Sequence, residues 1–425
     1  MEIIADLHLH SKYARATSPK SNIPGLIKGA KKKGINLLGT GDYTHPEYFQ
    51  HLQENLEKDP ETGFYNYKQD KNEEIYFIPS TEISNEYREN GEMKKIHQVV
   101  ISPDLETVEQ INDVLKQQTD LSIDGRPTFN LTAPETVEKI MEVSKKNLII
   151  PAHVWTPHYS LFGSNSGFDS VEECYKDQEK HINALETGLS ADPEMFWRLS
   201  SLDNYTLISN SDSHSPYPYR MGREANIMKM EEPSYEKMVK GIRKGEILEK
   251  TIEFYPEEGK YHWDGHRKCN ISMDPRKAME KFNNICPSCG KPMTLGVMHR
   301  VEELADRKPG EEPEEKTPFT SLIPLQKIIS LAIDTGMKTK TVEKKHRKLI
   351  NRFGTELNVL LRTEKEQIEQ ETNRKIAEYI EKTREGKVKW KPGYDGVYGE
   401  PIFEEDEKKD HEENEANQQQ TLKDF

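Results

Sequence analysis

What most constrains this chain is where its histidines and acids fall: at the ends of short apolar runs of β type. Residues 3–7 lead into Asp6-Leu7-His8-Leu9-His10, residues 35–40 into Gly41-Asp42, and residues 75–79 into Ser80-Thr81-Glu82. His97 opens the run at 98–102, the run at 148–152 stops at His153, and 206–209 leads to Asp212-Ser213-His214. Helical patterns such as 23–33 and 135–146 lie between them. Strands alternating with helices predict a parallel α/β sheet or barrel, a class that builds its active site from strand ends.

Residues two apart on a strand face the same way, so His8 with His10, and Asp212 with His214, can each grip one cation. One lone histidine at a strand end is more often a hydrogen-bonded structural residue. Two such pairs with Glu82, His97 and His153, all at strand termini, are hard to explain by packing and point to metal. Mixed imidazole and carboxylate ligands suit Zn²⁺, Mn²⁺ or Fe²⁺.

This set resembles the PHP (polymerase and histidinol phosphatase) superfamily. The resemblance implies a distorted (β/α)7 barrel holding up to three metals. His8, His10, Glu82 and Asp212 would hold the first metal, and Glu82 would bridge to a second completed by His97 and His153. Asp42 and His214 would hold a third. The chain departs from the phosphatase pattern there: Asp42 stands where many have histidine, and Lys12-Tyr13-Ala14-Arg15-Ala16 lacks an imidazole. That puts the third site in question, with His45 its nearest substitute. The implied chemistry is hydrolysis of a phosphate ester by metal-activated water, with no Ser or Cys nucleophile.

A chain of 425 residues with 33% hydrophobic and 32% charged content implies one good core plus polar additions. The expected divisions are 1–228 for the phosphoesterase, 229–260 as a connection and 261–308 as a zinc module. An acidic linker at 309–318, a helical, partly basic region at 319–402 and a disordered acidic tail at 403–425 would follow. In the zinc module His266 and Cys269 precede Cys286-Pro287-Ser288-Cys289-Gly290. Such a knuckle lets two sulfurs meet one ion, and a structural zinc on His266, Cys269, Cys286 and Cys289 is expected, with His262 or His299 as substitutes for His266. Cys174 is left as a small core residue. The chain opens without a leader-like segment and has no run long enough for a membrane span, so a soluble cytoplasmic protein without a membrane partner is expected.

The net charge of −14 argues against a nucleic-acid partner only until its distribution is considered. Acids crowd 311–315 and 404–415, whereas 338–352 is strongly basic. Lys344, Lys345, Arg347 and Lys348 would line a helix suited to a DNA backbone, although a charge run is usually a solvated face.

The order of parts is similar to the endonuclease Q family. The likeness rests on Gly39-Thr40-Gly41-Asp42, Glu186-Thr187-Gly188-Leu189-Ser190-Ala191-Asp192, Asn210-Ser211-Asp212-Ser213-His214-Ser215-Pro216 and Pro392-Gly393-Tyr394-Asp395-Gly396-Val397-Tyr398-Gly399. It implies cutting of DNA 5′ of deaminated bases (uracil, hypoxanthine, xanthine) or abasic sites, leaving 3′-hydroxyl and 5′-phosphate ends. Mg²⁺ or Mn²⁺ would support activity, beside zinc in the structural site and the PHP cluster.

An enzyme that inspects a base usually extrudes it between aromatic faces, which nominates Trp155, Tyr159, Phe162 and Tyr217. Ordinary loop packing is the plainer account of any one of them. Arg220 and Arg223 could clamp phosphates. The ending Gln419-Gln420-Thr421-Leu422-Lys423-Asp424-Phe425 resembles a sliding-clamp peptide through Gln419, Leu422 and Phe425. The alternatives are a small-molecule phosphatase, which leaves the zinc module and tail unused, and a catalytically weak DNA-binding adaptor on the clamp.

Overall fold

The computed structural model describes residues 2–69 and 75–403. The tail from 404, with its clamp-like ending, lies outside the described residues.

The first strand, Glu2–Asp6, pairs in parallel with Leu37–Gly39, which pairs in parallel with Tyr76–Ile78. The helix between the first two, Ile23–Lys33, starts where the Asn22 side chain accepts a hydrogen bond from the Gly25 N–H, and stops at Gly34 with φ +100°. These are ordinary helix start and stop signals. Tyr76–Ile78 runs almost directly into Ser80–Glu89, which pairs antiparallel with Glu92–Ile101, and that strand with Leu148–Pro151. A bridge from Ile149 to Ile182 leads to Ala184–Glu186, which lies parallel to Thr206–Ile208. A last bridge, Leu9 to Ser213, returns the series to the first strand.

Strand alternation sorts the apolar residues into two cores. Ile3, Ala5, Leu7, Leu37, Ile78, Val99, Ile150, Ala184 and Ile208 pack together in one. Their neighbours Ile4, Leu38, Phe77, Val100, Ile149 and Leu185 pack into the other, with helix residues such as Leu26, Ile27 and Ala30. The helix Tyr235–Lys244 adds Tyr235, Met238, Val239 and Ile242 to the first core. Its Ile242 carbonyl accepts from Thr206 at the start of a strand, the end opposite to Asp212.

The pairing is mixed, not wholly parallel. The sequence signal for the longest hairpin was the dipeptide Asn90-Gly91, whose φ values of +50° and +87° are those a two-residue hairpin turn demands. The sheet also continues past residue 228. Ala225–Lys229 pairs antiparallel with both Glu2–Asp6 and Leu248–Glu253, and Phe319–Ser321 adds a parallel edge strand to the latter.

Beyond the sheet, a short hairpin of Asp264–His266 with Ile271–Met273 sits on a small core of Met273, Ala278, Cys286 and Met293. Five helices between Leu325 and Arg384 follow, the longest being Lys340–Phe353.

Candidate metal centre

The residues at the strand ends converge. His8 and His10 follow the first strand, Glu82 opens the long hairpin, His97 faces it from the returning strand, and His153 and Asp212 follow two further strands. Ligand-capable atoms of His8, His10, Glu82 and Asp212 all lie within 4.8 Å of one another, and so do those of Glu82, His97 and His153. Glu82 therefore belongs to both groups, with one oxygen toward each. Its Oε2 is 3.1 Å from His10 Nε2 and 3.6 Å from His8 Nε2, while its Oε1 is 2.7 Å from His97 Nδ1 and 3.1 Å from His153 Nε2.

Metals fit these groups on the evidence of their unused atoms. His8 Nε2, His10 Nε2 and Asp212 Oδ1 are buried and make no hydrogen bond. Oxygens lie only 3.1–3.6 Å from the two nitrogens, so the lone pairs converge on shared space without pairing. Orphaned buried polar atoms are costly unless something satisfies them. Burial disfavours charge on every member, yet neighbouring His97, Arg126 and His8 hold Glu82 well below the usual carboxylate range. Burial likewise dominates at His97, pulling its pKa down to about 4 against Glu82, so the ring is a neutral donor at pH 7.

The other nitrogens of the His8 and His10 rings are fixed from behind. His8 Nδ1 meets the Glu186 carboxylate at 3.0 Å. Glu186 also accepts from the His153 backbone N–H at 2.8 Å and the Asn210 amide at 2.9 Å. Carboxylates behind ligand histidines set the tautomer and aim the ring. His153, Asp212 and Asp42 have φ of +31°, +45° and +46°, strained backbone of the kind that clusters at functional sites.

Asp42 does not join either ligand group. Its Oδ1 is 2.9 Å from His10 Nδ1, and its Oδ2 accepts from the Ser11 backbone N–H and hydroxyl at 2.6 and 2.7 Å. It braces His10 from behind. His214 also stands outside both groups. Its Nδ1 contacts the Asp212 carbonyl at 3.0 Å and its ring lies 4.3 Å from that of His10. The substitute His45 is turned to the Ser122 carbonyl.

Among the aromatic candidates, Trp155 and Phe162 are buried and packed on each other at 4.8 Å, so neither can meet a base; the plainer packing account holds for both. Tyr159 covers His97 at 4.8 Å, and its hydroxyl accepts from Lys95. Tyr217 is exposed and stacks on Tyr219. Arg220 and Arg223 line a cavity of about 490 Å³ with Thr17, Ser18, Asp212 and His214, beside the metal centre. Arg223 Nε is buried without a hydrogen-bond partner. On the helix Lys340–Phe353, Lys344, Arg347 and Lys348 are exposed and Lys345 half-buried; Lys348 pairs with Glu371 at 3.1 Å.

Away from this centre, ligand atoms of His266, Cys269, Cys286 and Cys289 lie within 4.8 Å of one another. Burial opposes ionisation of Cys286, yet the Ser288 and Cys289 N–H groups bring its pKa down to about 7. His299 is engaged by Asp264 at 2.7 Å, and His262 lies outside the group.

Sequence reasoning missed Glu186 and Arg126 as site residues. Glu186 ends a β-run as the ligands do, which was a usable signal. Arg126, whose Nη1 sits 3.0 Å from Glu82 Oε2, lies in a loop with no such signal.

The crystal structure of the lesion-specific endonuclease PfuEndoQ from Pyrococcus furiosus superposes with a TM-score of 0.84 at 31% identity, covering 95% of this chain and 96% of that one. An endonuclease Q complex with a 27-mer duplex bearing an abasic lesion at the active site matches with a TM-score of 0.82 at 31% identity, covering 95% and 97%. The uncharacterized protein YqxK of Bacillus subtilis is 29% identical across 94% of this chain and 98% of its own length. The uncharacterized protein MJ0043 of Methanocaldococcus jannaschii is 36% identical over 254 residues, 59% of this chain, which spans only 31% of that relative's length. A family model described as the MJ0043 C-terminal domain matches residues 324–387.

Fold and site together define a nuclease acting on phosphodiester bonds. The chain belongs to the endonuclease Q family.

Proposed function

We propose that this protein is a metal-dependent DNA repair endonuclease that hydrolyses the phosphodiester 5′ of a deaminated base (uracil, hypoxanthine or xanthine) or an abasic site, leaving 3′-hydroxyl and 5′-phosphate ends. The observation that carries this is the pair of ligand groups sharing Glu82, on a chain similar over 95% of its length to a lesion-specific endonuclease and to one bound to an abasic duplex. We read the returning strand series as the distorted (β/α)7 barrel of the PHP type.

Zn²⁺, Mn²⁺ or Mg²⁺ held by His8, His10, Glu82, Asp212, His97 and His153 would supply an activated water and neutralise phosphate charge. The chain's own residues prepare for this. Glu186 and Asp42 fix the His8 and His10 rings so that their Nε2 atoms point into the centre. Tyr159 shields His97 from solvent, and the cavity lined by Arg220 and Arg223 offers cationic walls to the strand beside it. His266, Cys269, Cys286 and Cys289 would hold a structural zinc that folds a segment with a very small core. Gln419, Leu422 and Phe425 support a sliding-clamp partner, and the exposed Lys344 and Arg347 a DNA backbone. No helix among the described residues is long and apolar enough to cross a membrane.

The test is nicking of end-labelled duplexes carrying one uracil, hypoxanthine or abasic site, beside an undamaged duplex, with Mg²⁺ or Mn²⁺. One cut 5′ of the lesion with a ligatable 3′-hydroxyl is expected. Equal cutting of undamaged DNA, or a cut 3′ of the lesion, contradicts the reading.

A further inference from the structure

The geometry points to Arg126 as the group that receives a substrate phosphate at the metal centre, resting in this structure on the carboxylate that both ligand groups share. The assignment rests on the phosphodiester-hydrolase reading and adds to it a substrate-binding residue.

Arg126 differs from everything else that touches Glu82. The carboxylate and its histidines are buried, whereas the Arg126 side chain keeps 31% exposure. It approaches from the solvent side, and Asp212 and Asp124 add to the pull of Glu82 on its guanidinium. Its Nη1 takes Glu82 Oε2 at 3.0 Å, the same oxygen that lies 3.1 Å from His10 Nε2. That oxygen is the one Glu82 turns toward the first ligand group. A carboxylate oxygen has lone pairs for more than one partner, and the Nη1 contact with Glu82 leaves further N–H groups of the guanidinium fork to meet an anion. A planar guanidinium beside the two ligand groups matches the oxygens of a phosphate by paired hydrogen bonds.

The loop that delivers Arg126 is built to close tolerance against the site. A Cβ on Gly125 would lie 2.6 Å from the Asp42 carboxylate, so only glycine lets the backbone pass there. The Gly125 N–H donates to the Tyr13 carbonyl at 3.1 Å, and its carbonyl accepts from Thr44 at 3.2 Å. The Arg126 N–H is held by Asp124 at 3.2 Å, and the Pro127 carbonyl accepts from the Ser84 N–H at 3.0 Å. The backbone is thus anchored on both sides of the arginine, and the partly exposed side chain reaches from that anchor to Glu82. A residue serving only to brace Glu82 would need neither the exposure nor the reach.

The test uses full-length protein in two calorimetric titrations: metal-free protein with Mn²⁺, then Mn²⁺-loaded protein with inorganic phosphate. Arg126→Ala is expected to bind Mn²⁺ about as tightly as wild type, since every side chain of the two ligand groups remains. It should bind phosphate about tenfold more weakly, with Arg126→Lys in between because it keeps the charge without the fork. Unchanged phosphate affinity in Arg126→Ala would overturn the assignment. So would Mn²⁺ affinity reduced about tenfold in both variants, which is the mark of a lost brace. Nicking of lesion-bearing DNA is scored separately. A wild type that binds phosphate through Arg126 but cuts no lesion would fail the repair reading and leave this assignment standing.

Discussion

Lys33, the last residue of the first helix, donates to Glu356 of the C-terminal helical region at 2.8 Å, and both side chains are buried. His346 holds the other Glu356 oxygen at 2.7 Å, and Lys33 also reaches the Pro218 carbonyl in the loop that follows Asp212 and His214. One ion cluster thus joins the helical region, the first helix and a loop of the metal centre.

That cluster gives the protein a definite acid sensitivity. Burial would raise the Glu356 carboxyl, but Lys33 and His346 outweigh it and bring its pKa from 4.5 to about 2. A carboxyl depressed on folding contributes stability above its unfolded pKa and loses it as pH falls through the folded one. The window is therefore about pH 4.5 down to 2, and the contribution is on the order of 3 kcal/mol. Urea unfolding of wild type should weaken across that window, and Glu356→Gln should start less stable at pH 7 and lose less on acidification. Parallel pH profiles for the two proteins would contradict this.

Gly125→Ala places a methyl group where the Asp42 carboxylate lies, 2.6 Å from its oxygen. Asp42 must then give ground, and His10 loses its brace. Mn²⁺ affinity should fall about tenfold, read by calorimetry, with a melting temperature only a few degrees lower.

Glu186→Gln keeps the shape but removes the charge behind His8. Because Glu186 also holds the His153 N–H and Asn210, the expected loss is about 10- to 100-fold in metal affinity. Metal content after dialysis against weak chelator measures it; content equal to wild type would mean that His8 is aimed by something else.

Cys286→Ser or Cys289→Ser should remove one zinc per chain and expose residues 261–308 to limited proteolysis, as expected where a small core depends on its ion. Unchanged zinc content would refute the structural-zinc assignment.

Much of the centre was legible because period-two spacing and strand ends are local features of the chain. His8 with His10, Glu82, His97, His153 and Asp212 meet as that spacing implies. Asp42 was not legible in the same way. It stands at a strand end like the others, with φ +46° against +45° for Asp212, so nothing local in the chain separates a carboxylate among the ligands from one behind a histidine. Trp155 and Phe162 read as pocket aromatics from their place after His153, while the packing of distant Phe196 on Trp155 keeps them inside. Arg126 could not be found at all, since only the three-dimensional approach of its loop to Asp42 and Glu82 distinguishes it. The antiparallel hairpin, by contrast, was written in Asn90-Gly91 and went unread among the helical spacings.

The most direct test of the account is single-turnover cleavage of a duplex with one abasic site by wild type and Asp212→Ala, with Mn²⁺ at saturation. Asp212 contributes an unpartnered buried oxygen to the first ligand group. The account predicts one cut 5′ of the lesion by wild type and a rate lower by about a thousandfold or more in the variant. Cleavage by Asp212→Ala at the wild-type rate, or none by metal-loaded wild type, would contradict it.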